Sequence, residues 1–131
     1  MGSEELEEGL KLNINFEKLD GLIPAIAQDI RDGRILMMAY ANREALEESI
    51  NSKMATFWSR SRSELWKKGA TSGDFLKVID VLVDCDQDTV VYMVEPQGKG
   101  ACHTKDPKSG QARLSCFYRR VNLSSGDLEM I

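Results

Sequence analysis

The chain has 131 residues, the size of one folding unit, so two full domains are excluded. With 42% hydrophobic and 29% charged residues it has the balance of a globular protein, and its apolar runs are too short to span a bilayer. A formal net charge of -4 excludes a nonspecific nucleic-acid binder held by phosphate neutralisation, so any anion site must come from local clustering of basic residues.

Residues 1–9 are acidic and read as a mobile leader ahead of a single domain over 10–131. No basic, apolar targeting segment precedes the domain, which makes the cytoplasm the expected location. Residues 10–16 alternate apolar and polar, the pattern of a half-buried strand. Residues 25–30 and 35–40 flank Arg31-Asp32-Gly33-Arg34, and Asp-Gly between apolar runs predicts a tight hairpin, because both central residues tolerate positive φ. Asn42 is a helix N-cap, Glu44 suits the positive end of the helix dipole, and Ala45, Leu46 and Ile50 recur at helical spacing, which predicts a helix over 43–52.

Residues 54–59 read as a short strand, and 59–75, SRSRSELWKKGATSGDF, as a polar loop. The β-branched runs 78–83 and 89–94 predict two strands joined by the acidic turn 84–88, and 116–121 predicts another. Residues 96–115, with Gly98, Gly100, Pro107 and Gly110, form a long irregular connection, unusual in a small domain unless it serves a site. Hairpins with one clear helix predict an α+β domain dominated by an antiparallel sheet. A domain this small buries only about two thirds of its unfolded surface, so an extensive site favours a homo-oligomer.

Asp84, Asp86 and Asp88 alternate in sequence, which in an extended segment puts three carboxylates on one side, a set suited to Mg²⁺ or Ca²⁺. The same triplet also fits a solvated acidic turn. An EF-hand is excluded, because Thr89 stands where that loop needs Gly and the flanks read as strands. Cys85, Cys102 and Cys116 fall in loops or at strand ends, a placement that favours ligation over simple packing, and three thiolates suit a zinc site with one position open to water. Three thiolates also make such a water less acidic, so a separate base would help. His103, the only histidine, could be that base, a fourth ligand or a structural side chain.

Residues 60–77 hold five basic residues against two acidic ones, a local excess in an acidic chain. Arg60, Arg62, Lys67 and Lys68 can meet phosphate oxygens, Gly69 and Gly73 allow close backbone approach, and Thr71 and Ser72 offer hydroxyls. The GxxxxGK[ST] pattern of a P-loop is missing. Trp66 could stack on a base or ribose, or simply pack.

In order, SRSRSELWKKGATSG, DCDQD, ACH and CF resemble the motifs of phosphoribosyl-AMP cyclohydrolases, and LIPAIAQDIRDGRILMMAYANREAL resembles that family's N-terminal hairpin and helix. The resemblance implies a cytoplasmic homodimer that opens the adenine ring of phosphoribosyl-AMP at N1–C6 in histidine biosynthesis, using zinc and magnesium at sites shared between subunits. Carried over by motif, it puts zinc on Cys85, Cys102 and Cys116 and magnesium on Asp84, Asp86 and Asp88. Within that reading, residue type, loop composition and motif position make His103 the expected proton-transfer group and Arg60, Ser61, Arg62, Trp66, Lys68, Gly69 and Ser72 the expected substrate-binding residues. One departure stands out: Cys102 and Cys116 are 14 positions apart where the family has about seven, which implies an insertion within TKDPKSGQARLS. Loop closure cost rises slowly with length, so both thiols can still reach one ion.

Overall fold

A computed structural model describes residues 3–17 and 20–131. Its centre is a six-stranded sheet in the order β4-β3-β2-β1-β6-β5. The strands are β1 (Ile23–Asp29), β2 (Ile35–Ala41), β3 (Thr56–Ser59), β4 (Glu64–Lys67), β5 (Leu76–Val83) and β6 (Val90–Pro96). A short helix, α1 (Ser3–Glu8), precedes the sheet, and a second, α2 (Arg43–Ser52), links β2 to β3. The last strands, β7 (Arg119–Val121) and β8 (Leu128–Met130), form a separate two-stranded ribbon. All the pairings are antiparallel except β1 with β6, so the expected α+β architecture holds.

Alternation builds the core. Ile23, Ala25 and Ala27 of β1 face the same way as Val90, Tyr92 and Val94 of β6, and all six are fully buried. Phe57 of β3 lies between Tyr92 and Trp66, with ring centroids 5.5 and 5.1 Å away. Helix α2 covers this layer with Ala45 and Leu46, and Ser49 ties it down. The Ser49 hydroxyl donates to Ala45 O at 2.8 Å and accepts from Thr56 N at 2.8 Å, so one side chain joins helix to strand without an unpaired polar atom. Asn42 caps α2 by accepting from Ala45 N at 2.8 Å, and Lys53 ends it in the left-handed region.

Several local expectations need correction. Residues 10–16 make no strand; Ile14 and Phe16 are buried in alternation, but the amide of Asn13 donates to the Gln87 side chain at 2.6 Å instead of to a ladder. The expected β1–β2 hairpin is present; in its turn Gly33 N donates to Asp29 O, and Gly33 takes positive φ while Asp32 does not. Inside the expected polar loop 59–75 lies β4, whose Trp66 pairs with Phe57. The strand expected over 116–121 begins only at Arg119, and β8 had no distinct signal. Ahead of the domain, Ser3–Glu8 is helical, and Gln87 Nε2 donates to Leu6 O at 3.1 Å and Lys11 O at 3.2 Å. Residues 1 and 2 lie outside the described residues.

Candidate active site

The irregular stretch 96–115 proves to be a folded-back arm. Ala101 N donates to Leu114 O and Cys102 N to Arg113 O, both at 3.0 Å, so residues 101–102 run beside 113–114. Gly100 makes this approach possible, because a Cβ there would sit 2.4 Å from Arg113 O and 2.6 Å from Ala112 O. Beyond this pairing, Ser115 Oγ donates to Ile35 O at 2.6 Å and Cys116 N to Leu36 O at 2.7 Å, which fixes the next residues to the start of β2. The arm therefore brings Cys102 and Cys116 side by side although 14 positions separate them in sequence.

The two thiols are strongly unequal. Burial opposes ionisation of Cys102, but the Thr104 hydroxyl and amide, at 2.9 and 3.4 Å from its sulfur, together with the Cys116 thiol and Lys68, hold it below the ordinary thiol range. Cys116 is pushed up to about 11, first by desolvation of the thiol and then by the Cys102 sulfur beside it. Two adjacent sulfurs beside the Lys68 ammonium form a donor pair that suits a thiophilic cation. Cys85 stays outside this pair: among the described residues no group of three ligating side chains contains a cysteine. It is exposed, at the end of β5, where Leu6, Glu7 and Lys11 line a groove with Asp84 and Gln87.

That end of the sheet carries the acidic turn. One ligating oxygen from each of Asp84, Asp86 and Asp88 lies within 4.8 Å of the others. The convergence comes from a tight turn and not from the extended alternation expected, since Gln87 is at φ 54° and Asp84 Oδ1 accepts from Asp88 N at 2.9 Å and Thr89 N at 3.1 Å. Desolvation works against the Asp84 charge, but these contacts and a hydrogen bond shared with Asp88 hold its pKa down. Asp88 moves the other way, raised chiefly by the Asp84 carboxylate, then by burial and by Asp86. Carboxylates this close relieve their repulsion with a proton or a hard divalent cation.

A cleft of about 570 Å³ opens between the loop after β4 and the folded-back arm. On one wall stand Arg62, Trp66, Lys68, Gly69 and Ser72, and on the other Cys102 and His103. Five of the seven expected substrate-binding residues thus face the expected base and one expected zinc ligand. The other two do not line it: Arg60 lies over the Tyr40 ring at 4.1 Å, and Ser61 is paired with Ser59, oxygen to oxygen, at 3.4 Å. Within the basic wall, Arg62 is already engaged by Glu64 at 3.5 Å and Lys67 by Glu48 at 3.4 Å, whereas Lys68 has no ion-pair partner among the described residues. Sequence reasoning missed Thr104, whose hydroxyl tunes Cys102, and Lys105, which lines the cleft from the arm. Neither has a motif around it, because only the back-folding of the arm places them there.

An ionisable thiol and an imidazole set against a cationic, aromatic wall make an enzyme's cleft of this fold. The sequence profile of the family Phosphoribosyl-AMP cyclohydrolase matches residues 37–118. A phosphoribosyl-AMP cyclohydrolase of Desulfatibacillum aliphaticivorans is 47% identical over 110 residues, covering 84% of this chain and 82% of that protein. One from Chloroherpeton thalassium is 44% identical over 128 residues, covering 98% and 85%. The chain is also similar to a histidine biosynthesis bifunctional protein HisIE of Thermus thermophilus, at 49% identity over 111 residues that make up 85% of this chain and 48% of that one. The chain belongs to the phosphoribosyl-AMP cyclohydrolase family.

Proposed function

We propose that this protein hydrolyses the N1–C6 bond of the adenine ring in phosphoribosyl-AMP, a step of histidine biosynthesis, in the cytoplasm. The observation that carries the reading is the single cleft in which Cys102 and His103 face Arg62, Trp66, Lys68, Gly69 and Ser72. Trp66 offers a π face for the purine, and Lys68, with the Gly69 to Ser72 backbone and hydroxyls, suits the phosphates. Three unpaired cysteines accord with a reducing compartment, and among the described residues no helix is long and apolar enough to cross a membrane.

The donor sets fit two different cations. Cys102 and Cys116 lie side by side and would hold zinc with Cys85 of a second copy, since among the described residues the single chain keeps Cys85 apart from them. The oxygens of Asp84, Asp86 and Asp88 suit magnesium. Zinc supplies a hydroxide-like nucleophile at neutral pH when bound. A shared site requires a homodimer, and apolar surface is available for one: Ile79, Leu82 and Val83 on edge strand β5 are exposed, as are Val121, Leu128 and Met130 on the β7–β8 ribbon.

In the reaction, water adds to C6, the C6–N1 bond breaks, and N1 takes up a proton. His103, which lines the cleft, would accept the proton lost by water and return it to N1. Lys68 and Trp66 hold the nucleotide so that C6 faces the thiol end of the cleft. The test is direct: protein loaded with zinc and magnesium should open the purine ring of phosphoribosyl-AMP, followed by absorbance, and Cys116→Ser should lose zinc and turnover together. No ring opening by the loaded wild type, or full turnover by a zinc-free Cys116→Ser, would refute the proposal.

A further inference from the structure

The arm that carries Cys102 continues into a hairpin whose base is part of the cleft. Arg113 N donates to Thr104 O at 3.0 Å, Lys105 bridges to Ala112, and the tip closes with Asp106 N to Gln111 O at 2.9 Å and Gly110 N to Asp106 O at 2.7 Å. Asp106 Oδ1 also accepts from Lys108 N at 2.8 Å, and Arg113 reaches the Thr104 hydroxyl at 3.2 Å while stacking 4.0 Å over Tyr118. The hairpin is thus held by its backbone and by Arg113, and the Lys105 side chain is not needed to shape it. Both Lys105 and Ala112 line the cleft, opposite the Arg62 to Ser72 wall.

Charge bookkeeping inside the cleft singles this lysine out. Of the four cations that line it, Arg62 and Lys67 already have carboxylate partners, and among the described residues Lys68 and Lys105 have none. Lys68 stands at the thiol end, where its charge bears on both Cys102 and Cys116. Lys105 stands on the other wall. A substrate made of AMP joined to a phosphoribosyl group carries two separate phosphomonoesters, one at each end, and two unpaired ammonium groups on facing walls match that layout.

We propose that Lys105 is a specificity-determining residue that binds one of the two substrate phosphates from the hairpin side of the cleft. The assignment rests on the phosphoribosyl-AMP reading above. A positioned ammonium on a phosphate is a charge-assisted contact, and its loss from ground state and transition state alike raises KM and leaves kcat in place. Lys105→Gln should raise the KM for phosphoribosyl-AMP about tenfold, with kcat within about twofold of wild type, and Lys105→Arg should recover most of the loss. Lys108→Gln, at the exposed hairpin tip and outside the cleft, should behave as wild type. Raising ionic strength should weaken KM less in Lys105→Gln than in wild type, a difference a purely structural role would not produce. If wild type turns over and Lys105→Gln has an unchanged KM, or loses kcat and KM together with no rescue by Arg, this inference is overturned while the reaction assignment survives. If wild type itself fails to open the ring, the reaction assignment falls first.

Discussion

Gly69 sits where the basic wall of the cleft turns back towards β5, and it offers a sharp test of how that wall is built. Its φ is +96°, and a Cβ added there would lie 2.3 Å from Phe75 N, 2.5 Å from Asp74 C and 2.6 Å from Phe75 Cα. All three are backbone atoms, so no side chain can swing aside. Gly73 lies in the same loop at φ +84°, and its amide donates to Gly69 O at 2.7 Å, yet a Cβ at Gly73 would meet nothing within 4 Å. The two glycines therefore share a conformational requirement and differ in steric room. Gly73→Ala should cost only the left-handed penalty, about 1–2 kcal/mol. Gly69→Ala adds an overpacking cost of about 1–3 kcal/mol, because the loop must shift before the methyl fits. Paired urea titrations measure both losses against wild type at constant m. The same shift should move Lys68 relative to Cys102, so Gly69→Ala should also lose turnover while Gly73→Ala keeps it. Equal destabilisation by the two substitutions would refute the steric reasoning.

Two further outcomes follow from the geometry. Asp29 is 1% exposed, and its carboxylate receives Arg31 Nε at 3.0 Å, the Arg31 guanidinium again at 2.8 Å, and Arg31 N at 2.9 Å, which together hold its pKa down against burial. A carboxyl lowered in the folded state contributes stability in full above the unfolded value of about 3.9 and loses it as pH falls through the folded value. Asp29→Asn should therefore be less stable than wild type at pH 7 and should flatten the stability profile below about pH 4, read by denaturant midpoints across that range; parallel profiles would show that the ion pair is not the acid-labile element. His103→Ala should lower turnover by about 10²- to 10⁴-fold with zinc content unchanged, as expected for a proton-transfer group. Loss of zinc from that variant, measured by metal analysis, would make His103 a ligand instead.

Local chemistry explains which parts of this molecule could be read from sequence. Helix α2 was legible to the residue, since Asn42 caps it through its own side chain and the apolar residues that follow keep helical spacing. Strands β1 and β6 were legible because each buries alternate residues in the core, and β2 and β5 because they are apolar runs bounded by turn residues. Strand β4 was not, because Glu64, Leu65, Trp66 and Lys67 at the sheet edge are all at least partly solvated, and hydrophobic patterning has little to report there. Residues 10–16 failed for the opposite reason, as an alternating pattern records which side chains are buried and not whether the backbone finds a ladder; here Asn13 finds the Gln87 side chain.

The site divides along the same line. Acids and thiols could be named as candidate ligands from residue type, but their grouping depends on contacts between distant segments. Cys102 and Cys116 meet because residues 113–114 pair with 101–102 and because Ser115 and Cys116 are bonded to β2. Cys85 stays with the acidic turn because β5 ends there, on the groove lined by Leu6 and Lys11. Lys105 enters the cleft only because Gly100 lets two backbones pass within a contact that any Cβ would block. A Gly100→Ala chain would keep every chemical group of the site in its sequence and still lose the geometry that makes those groups act on one substrate.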